Sequence, residues 1–133
     1  MAVTQLIYVS SPFGFDDQTL AGILLDARRR NLRDNITGAL IARRDLYLQL
    51  LEGPKSAVEA AYHRIRVDDR HADIRAVHSR RVEHRLFARW AMRDDPVRSW
   101  MWSREAVAAG APEAASADEI IGMFERLRLS LPV

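Results

Sequence analysis

Two short apolar runs near the middle of the chain, residues 36–42 and 46–51, are separated only by Arg43-Arg44-Asp45. Two strand-like runs joined by so short a polar spacer predict a β-hairpin, which makes the chain reverse direction at this point. A stretch with apolar residues at helical spacing flanks the hairpin on each side, at residues 17–32 and 54–67. The hairpin therefore lies between two predicted helices.

Further strand-like runs lie outside these helices. The first, residues 5–10, alternates Leu6, Tyr8 and Ser10 on one face with Ile7 and Val9 on the other. Residues 74–82 read as a fourth strand and residues 87–92 as a fifth, ended by Asp94-Asp95-Pro96. The resulting β-α-β-β-α-β order predicts a ferredoxin-like α/β (α+β) sandwich with an extra fifth strand, in which both helices cover one face of the sheet.

The composition shifts after Pro96, which predicts two regions, a domain at residues 1–95 and a helical extension at residues 96–133. Ser116 is placed to cap a final amphipathic helix that carries Ile120, Ile121, Phe124, Leu127 and Leu131. Apolar residues on the second face of the sheet need a cover. The C-terminal helices can provide it from the same chain or from a partner, and we expect a homodimer or a higher oligomer.

Composition excludes several classes of function. The 133 residues contain no cysteine, so disulfides and thiolate chemistry are ruled out, and a cytoplasmic location is expected. Neither a membrane-spanning run nor a secretory signal is present. The net charge is only +2, and Arg28-Arg29-Arg30 is flanked by acidic residues, as in a solvated helix face; we therefore expect neither nucleic acid nor membrane as a partner. The histidine spacing does not suggest a metal site, and the P-loop, GxGxxG and nucleophile-elbow motifs are missing.

Tyr8 and Gln49 are uncharged polar residues on apolar strand-like runs, where a polar side chain needs a partner. Tyr8 carries a phenol, which can release an electron and a proton, and Gln49 carries an amide, which both donates and accepts hydrogen bonds. Tyr8 can equally be a core tyrosine with a satisfied hydroxyl, and Gln49 can lie on a solvated strand face.

Other polar residues lie near the ends of the predicted helices. Asn31 can present its carboxamide to a heteroaromatic ring, or it can cap the first helix. Arg64 suits phosphate and Asp68 suits a ribityl or ribose hydroxyl, although a charge-compensated helix end that includes His71 explains them as well. On the last predicted strand, Trp90 and Met92 share a face, and ordinary packing of an aromatic ring and a thioether is enough to explain them.

The order and spacing of these residues resemble the BLUF family, the blue-light sensors that use FAD. The resemblance runs from Leu6 to Met92. Its segments are Tyr8 with Ser10, Asn31, NITGALI (residues 35–41), LQLLEGP (48–54), residues 62–65, DDRH (68–71) and RLFARWAM (85–92).

The resemblance implies a non-enzymatic photoreceptor that holds FAD non-covalently between its two helices, with FMN as the alternative cofactor. It assigns Tyr8 as electron donor and Gln49 as hydrogen-bond relay. Its other assignments are Asn31 at the carbonyl edge of the ring, Ile23 and Ile65 on its faces, Arg64, Asp68 and His71 at the ribityl or phosphate part, and Trp90 and Met92 in signal output.

In the mechanism that the resemblance implies, light drives electron and then proton transfer from Tyr8. Recombination leaves the Gln49 amide rotated or tautomerised, and the flavin absorption shifts to the red. Ala27 departs from the hydroxyl residue that many relatives carry. The signal is expected to reach a separate, unidentified downstream protein. The alternative is a ferredoxin-like interaction or ligand-binding module without photoactivity, whereas an acylphosphatase-like enzyme lacks the arginine needed in residues 11–14.

Overall fold

The computed structural model describes residues 3–12, 17–43, 46–67, 71–87, 93–96 and 104–130. The strands are β1 Val3–Pro12, β2 Thr37–Arg43, β3 Leu46–Gly53, β4 His71–Val82 and β5 Arg93–Pro96. The helices are α1 Asp17–Arg33, α2 Lys55–Arg66, α3 Arg104–Ala108, α4 Ala111–Ala114 and α5 Ala117–Ser130. In the described part of the chain, no helix is both long and apolar enough to cross a membrane.

The strands form one sheet in the order β4-β1-β3-β2-β5. Strand β1 pairs antiparallel with both β3 and β4, and β2 pairs antiparallel with β3 across the predicted hairpin. Strand β5 adds to the edge of β2 in the parallel direction. The ferredoxin-like prediction is therefore confirmed, with β1 and β3 side by side within the sheet.

The end predicted for the fifth strand was wrong. Strand β5 is Arg93–Pro96, so Asp94-Asp95-Pro96 lies inside it instead of ending it. Phe87 lies in a bend before it, and residues 88–92 are outside the described residues. A polar run that contains proline does not look like a strand, but an edge strand tolerates proline because one side needs no hydrogen bonds.

The sheet has a buried core on each face. On one face, Leu6, Leu40 and Leu51 pack with Leu24 of α1 and Val58 of α2. The helices cover this face because their apolar residues recur at helical spacing.

On the other face, α5 supplies the cover. Its Ile120, Ile121, Met123, Phe124 and Leu127 pack against residues of β1, β2 and β3. The helix begins where predicted, since the Ser116 hydroxyl accepts a hydrogen bond from the Glu119 amide at 3.1 Å. The apolar face that suggested a homodimer is thus covered by the same chain. The homodimer, and the division of the chain at residue 95, stay predictions.

Candidate functional site

Tyr8 and Gln49 lie opposite each other in the β1–β3 pair. The Tyr8 hydroxyl donates a hydrogen bond to Gln49 Oε1, and both side chains are only 4% exposed. The register of β1 against β4 shifts between Ile7 and Tyr8, and such irregularities re-aim side chains in a sheet. The two polar groups that the sequence singled out therefore meet on the face covered by α1 and α2.

This pair lies at a cleft between α1 and α2 of about 550 Å³, part of it open to solvent. Six residues predicted for the site line it: Tyr8, Ile23, Asn31, Gln49, Arg64 and Ile65. The other lining residues are Asp26, Ala27, Arg30, Leu51 and Ala61. Apolar helix side chains and an amide-bearing strand are what a planar heteroaromatic ring needs, since its faces are apolar and its edge is polar.

Asn31 is 4% exposed and belongs to the last turns of α1. Asn35, just after the end of this helix, has a left-handed backbone with φ 59°. The Ile36 amide donates a hydrogen bond to the Asn31 carbonyl at 2.8 Å. This is the geometry of a helix C-terminus with a left-handed residue after it. Asn35 thus occupies the capping position that was considered for Asn31. The Asn31 side chain lines the cleft.

Arg64 reaches the cleft from α2 and also contacts the end of α1. Its Nη2 lies 3.3 Å from Asp34 Oδ2. Arg33 donates to the same carboxylate at 3.0 and 3.2 Å, and these bonds, aided by Arg64, hold the pKa of the Asp34 carboxyl below its usual value. Arg64 therefore joins the two helices at the cleft, as a charge-compensated group that still lines the site.

The structure does not describe the side chains of the other four predicted site residues. His71 does not close α2, which ends at Arg66; it begins β4, where it pairs with Pro12. Asp68, Trp90 and Met92 lie outside the described residues.

Sequence reasoning missed several residues around the cleft. Arg30 was assigned with its neighbours to a solvated face, yet it lines the cleft with Asp26. Helical spacing was the available signal, because Asp26 lies three positions after Ile23, which was already assigned to the site, and Arg30 lies four positions after Asp26. Tyr62 was given no role of its own within the matching segment 62–65, and its ring centroid is 5.8 Å from that of Tyr8.

Comparison with known proteins relates this chain to light sensors. The chain is 39% identical over 94 residues to the photoactivated adenylate cyclase subunit beta of Euglena gracilis, which covers 68% of this chain but 11% of the relative. The chain thus spans about a ninth of the length of that relative.

Solved structures agree in fold. BlrB, a BLUF protein in its dark state, is 28% identical with a TM-score of 0.78, over 97% of each chain. A bacterial light-regulated adenylyl cyclase is 26% identical with a TM-score of 0.68, over 98% of this chain and 37% of the other. The family described as sensors of blue light using FAD matches residues 3–93. The chain therefore belongs to the BLUF family, whose domain is an FAD-binding sensor and not an enzyme.

Proposed function

We propose that Tyr8 and Gln49 are the switch of this blue-light photoreceptor, and that the cleft between α1 and α2 holds the flavin ring. The observation that carries the proposal is the hydrogen bond from the Tyr8 hydroxyl to Gln49 Oε1 at the base of that cleft. A buried phenol bonded to a buried amide has both a removable electron and a defined path for its proton.

The lining residues suggest how the ring is held. Ile23 of α1 and Ile65 of α2 both line the cleft and would pack against the two faces of the ring, and the Asn31 carboxamide would meet its polar edge. Arg64 is a candidate for the ribityl or phosphate part, because guanidinium groups pair well with phosphate. The roles considered for Asp68, His71, Trp90 and Met92 stay predictions.

The protein's own part in the light reaction is proton and hydrogen-bond movement. When bound, the flavin supplies the absorption of blue light and an electron-accepting excited state. Tyr8 would pass an electron, and then the proton that it shares with Gln49 Oε1, to the bound flavin, and would regain both on recombination, so that no net oxidation remains. The Gln49 amide, which can donate from one end and accept at the other, then exchanges these roles by rotation or tautomerisation. The new donor direction alters the hydrogen bonds at the ring edge.

We further propose that the output passes through residues 96–133 to an effector protein. The support for this route is the packing of α5 on the face of the sheet opposite the cleft. FMN carries the same ring and stays the alternative cofactor. The cytoplasmic location stays a prediction.

The test is to reconstitute the purified chain with FAD and with FMN, and to record absorption before, during and after blue illumination. A yellow protein whose flavin band shifts to the red in light and recovers in the dark is the expected result. Protein that takes up neither flavin would favour the alternative of an interaction module without photoactivity. Flavin uptake without a red shift would support the cleft as the flavin site but contradict the proposal that Tyr8 and Gln49 form a switch.

A further inference from the structure

Glu52, near the end of β3, is a fully buried acidic residue, with 0% exposure. Its carboxylate accepts hydrogen bonds from Gln5 Nε2 at 2.9 Å, from the Leu86 amide at 2.8 and 2.9 Å, and from the Phe87 amide at 2.9 Å. Gln5 in turn accepts from Arg80 Nε at 3.1 Å, so its amide links the carboxylate to a cation. Each contact uses the carboxylate as an acceptor, which suits its ionised form.

Arg85 also links residues 85–87 to the sheet. Its guanidinium donates to Thr37 Oγ1 at 2.8 Å, to the Glu52 carbonyl at 2.9 Å and to the Asn35 carbonyl at 2.7 Å. Residues 85–87 are therefore fastened to the end of β3 and the start of β2. Hydrogen bonds to charged groups are stronger than neutral ones, and buried ones are costly to leave unmade.

Glu52 and Gln49 lie on opposite faces of β3, because they are three residues apart in a strand. Gln49 faces the cleft, and Glu52 faces the side covered by α5. Phe87, held by Glu52, is fully buried and meets Phe124 of α5 edge-on, with ring centroids 6.3 Å apart. A short series of contacts thus runs from the cleft through β3 to α5.

We infer that Glu52 is a positioning residue that couples the Gln49 amide to α5, an inference that rests on the proposed function. The carboxylate holds two consecutive backbone amides, so the end of β3 cannot move without moving residues 86 and 87. Phe87 then transfers that movement to Phe124 by direct packing. A rearrangement at Gln49 that displaces β3 would in this way also displace α5, on the opposite face of the sheet.

The test compares Glu52→Gln with the wild-type chain, both loaded with FAD, and with the control Glu59→Gln on the exposed face of α2. The glutamine keeps the size of the side chain but replaces one acceptor oxygen with a donor that faces other donors. Hydrogen exchange of residues 117–130 is measured in darkness and under blue light, and the flavin spectrum is recorded on the same samples.

In the wild type and in Glu59→Gln, we expect light to change the exchange of residues 117–130. In Glu52→Gln, we expect dark exchange there to rise about tenfold, the effect of losing one hydrogen bond to a charged group. The red shift of the flavin should remain, while the change in α5 exchange with light disappears. A residue that served only for stability would raise the dark exchange and leave the light-induced change in place.

A Glu52→Gln chain whose α5 responds to light as the wild type does overturns the coupling. The coupling is also overturned if the flavin absorption of the wild type shifts to the red while light leaves the hydrogen exchange of α5 unchanged. Failure of the proposed function is distinguishable, because the wild type then shows no red shift at all. If Glu52→Gln does not fold, Phe87→Leu tests the next contact. It should keep the red shift and lose most of the α5 response, and a full response in that variant contradicts the inference.

Discussion

The rings of Tyr8 and Tyr62 lie 5.8 Å apart between centroids at an interplanar angle of 49°, and it is the Tyr8 hydroxyl that donates to Gln49. The Arg66 guanidinium lies 5.9 Å from the centroid of the Tyr62 ring. A cation over an aromatic face stabilises the electron-rich ring and makes electron removal harder. Two neighbouring phenols are therefore unequal as electron donors.

From this difference we expect Tyr8→Phe to retain FAD and to lose the red-shifted light state, because the phenylalanine has no phenolic proton. Tyr62→Phe is the matched control: it removes a hydroxyl from the neighbouring ring and should keep the shift. Absorption difference spectra of both variants under blue light provide the measurement. A normal light-state spectrum in Tyr8→Phe would refute its role as donor.

Gln49→Leu should also bind flavin and give no red-shifted state, because the leucine has neither the acceptor used by Tyr8 nor a donor to exchange for it. Losing that hydrogen bond should lower the free energy of unfolding by about 1 kcal/mol. Leu51→Val serves as control, since Leu51 lines the same cleft from β3 and changes only in size. Difference spectra together with urea unfolding check both effects, and a red shift in Gln49→Leu would contradict the relay role.

The sequence singled out Tyr8 and Gln49 because each is an uncharged polar residue on an apolar strand-like run, where it needs a partner. Their joint role came from the resemblance to the BLUF family. Glu52 could not be recognised in the same way. Before Gly53 and Pro54 it looked like part of the strand-to-helix connection, and its partners are backbone amides of residues 86 and 87, more than thirty positions away. A residue whose role depends on distant backbone groups has no local pattern.

Gly38 of β2 lies against the backbone of β3 and has no room for a side chain. A Cβ added there would lie 1.9 Å from the Leu50 carbonyl oxygen, which belongs to the backbone and cannot rotate away. We expect Gly38→Ala to lower the free energy of unfolding by about 3 kcal/mol.

Gly122 provides the opposite case. An added Cβ meets nothing within 4 Å, and the residue lies inside α5. We expect Gly122→Ala to raise the free energy of unfolding by up to about 1 kcal/mol, because alanine favours the helix over glycine. Chemical unfolding of both variants is the measurement; equal stability of the two would show that the β2–β3 spacing adapts more easily than the structure implies.

His78 should make the stability of the protein depend on pH. Its Nε2 is buried and has no hydrogen-bond partner among the described residues. Burial, with a smaller contribution from Arg80, lowers the pKa of His78, while Asp118 opposes the change. Because the unfolded chain then binds a proton more readily than the folded one, stability should fall as the pH drops below about 6.5 and level off below the folded-state pKa.

The check is the free energy of unfolding at pH 8 and pH 5, with flavin loading held equal. His78→Leu should lose less stability between these two values than the wild type, because the side chain no longer takes up a proton on unfolding. If His78→Leu retained the full wild-type loss at pH 5, the acid sensitivity would have to arise from other groups.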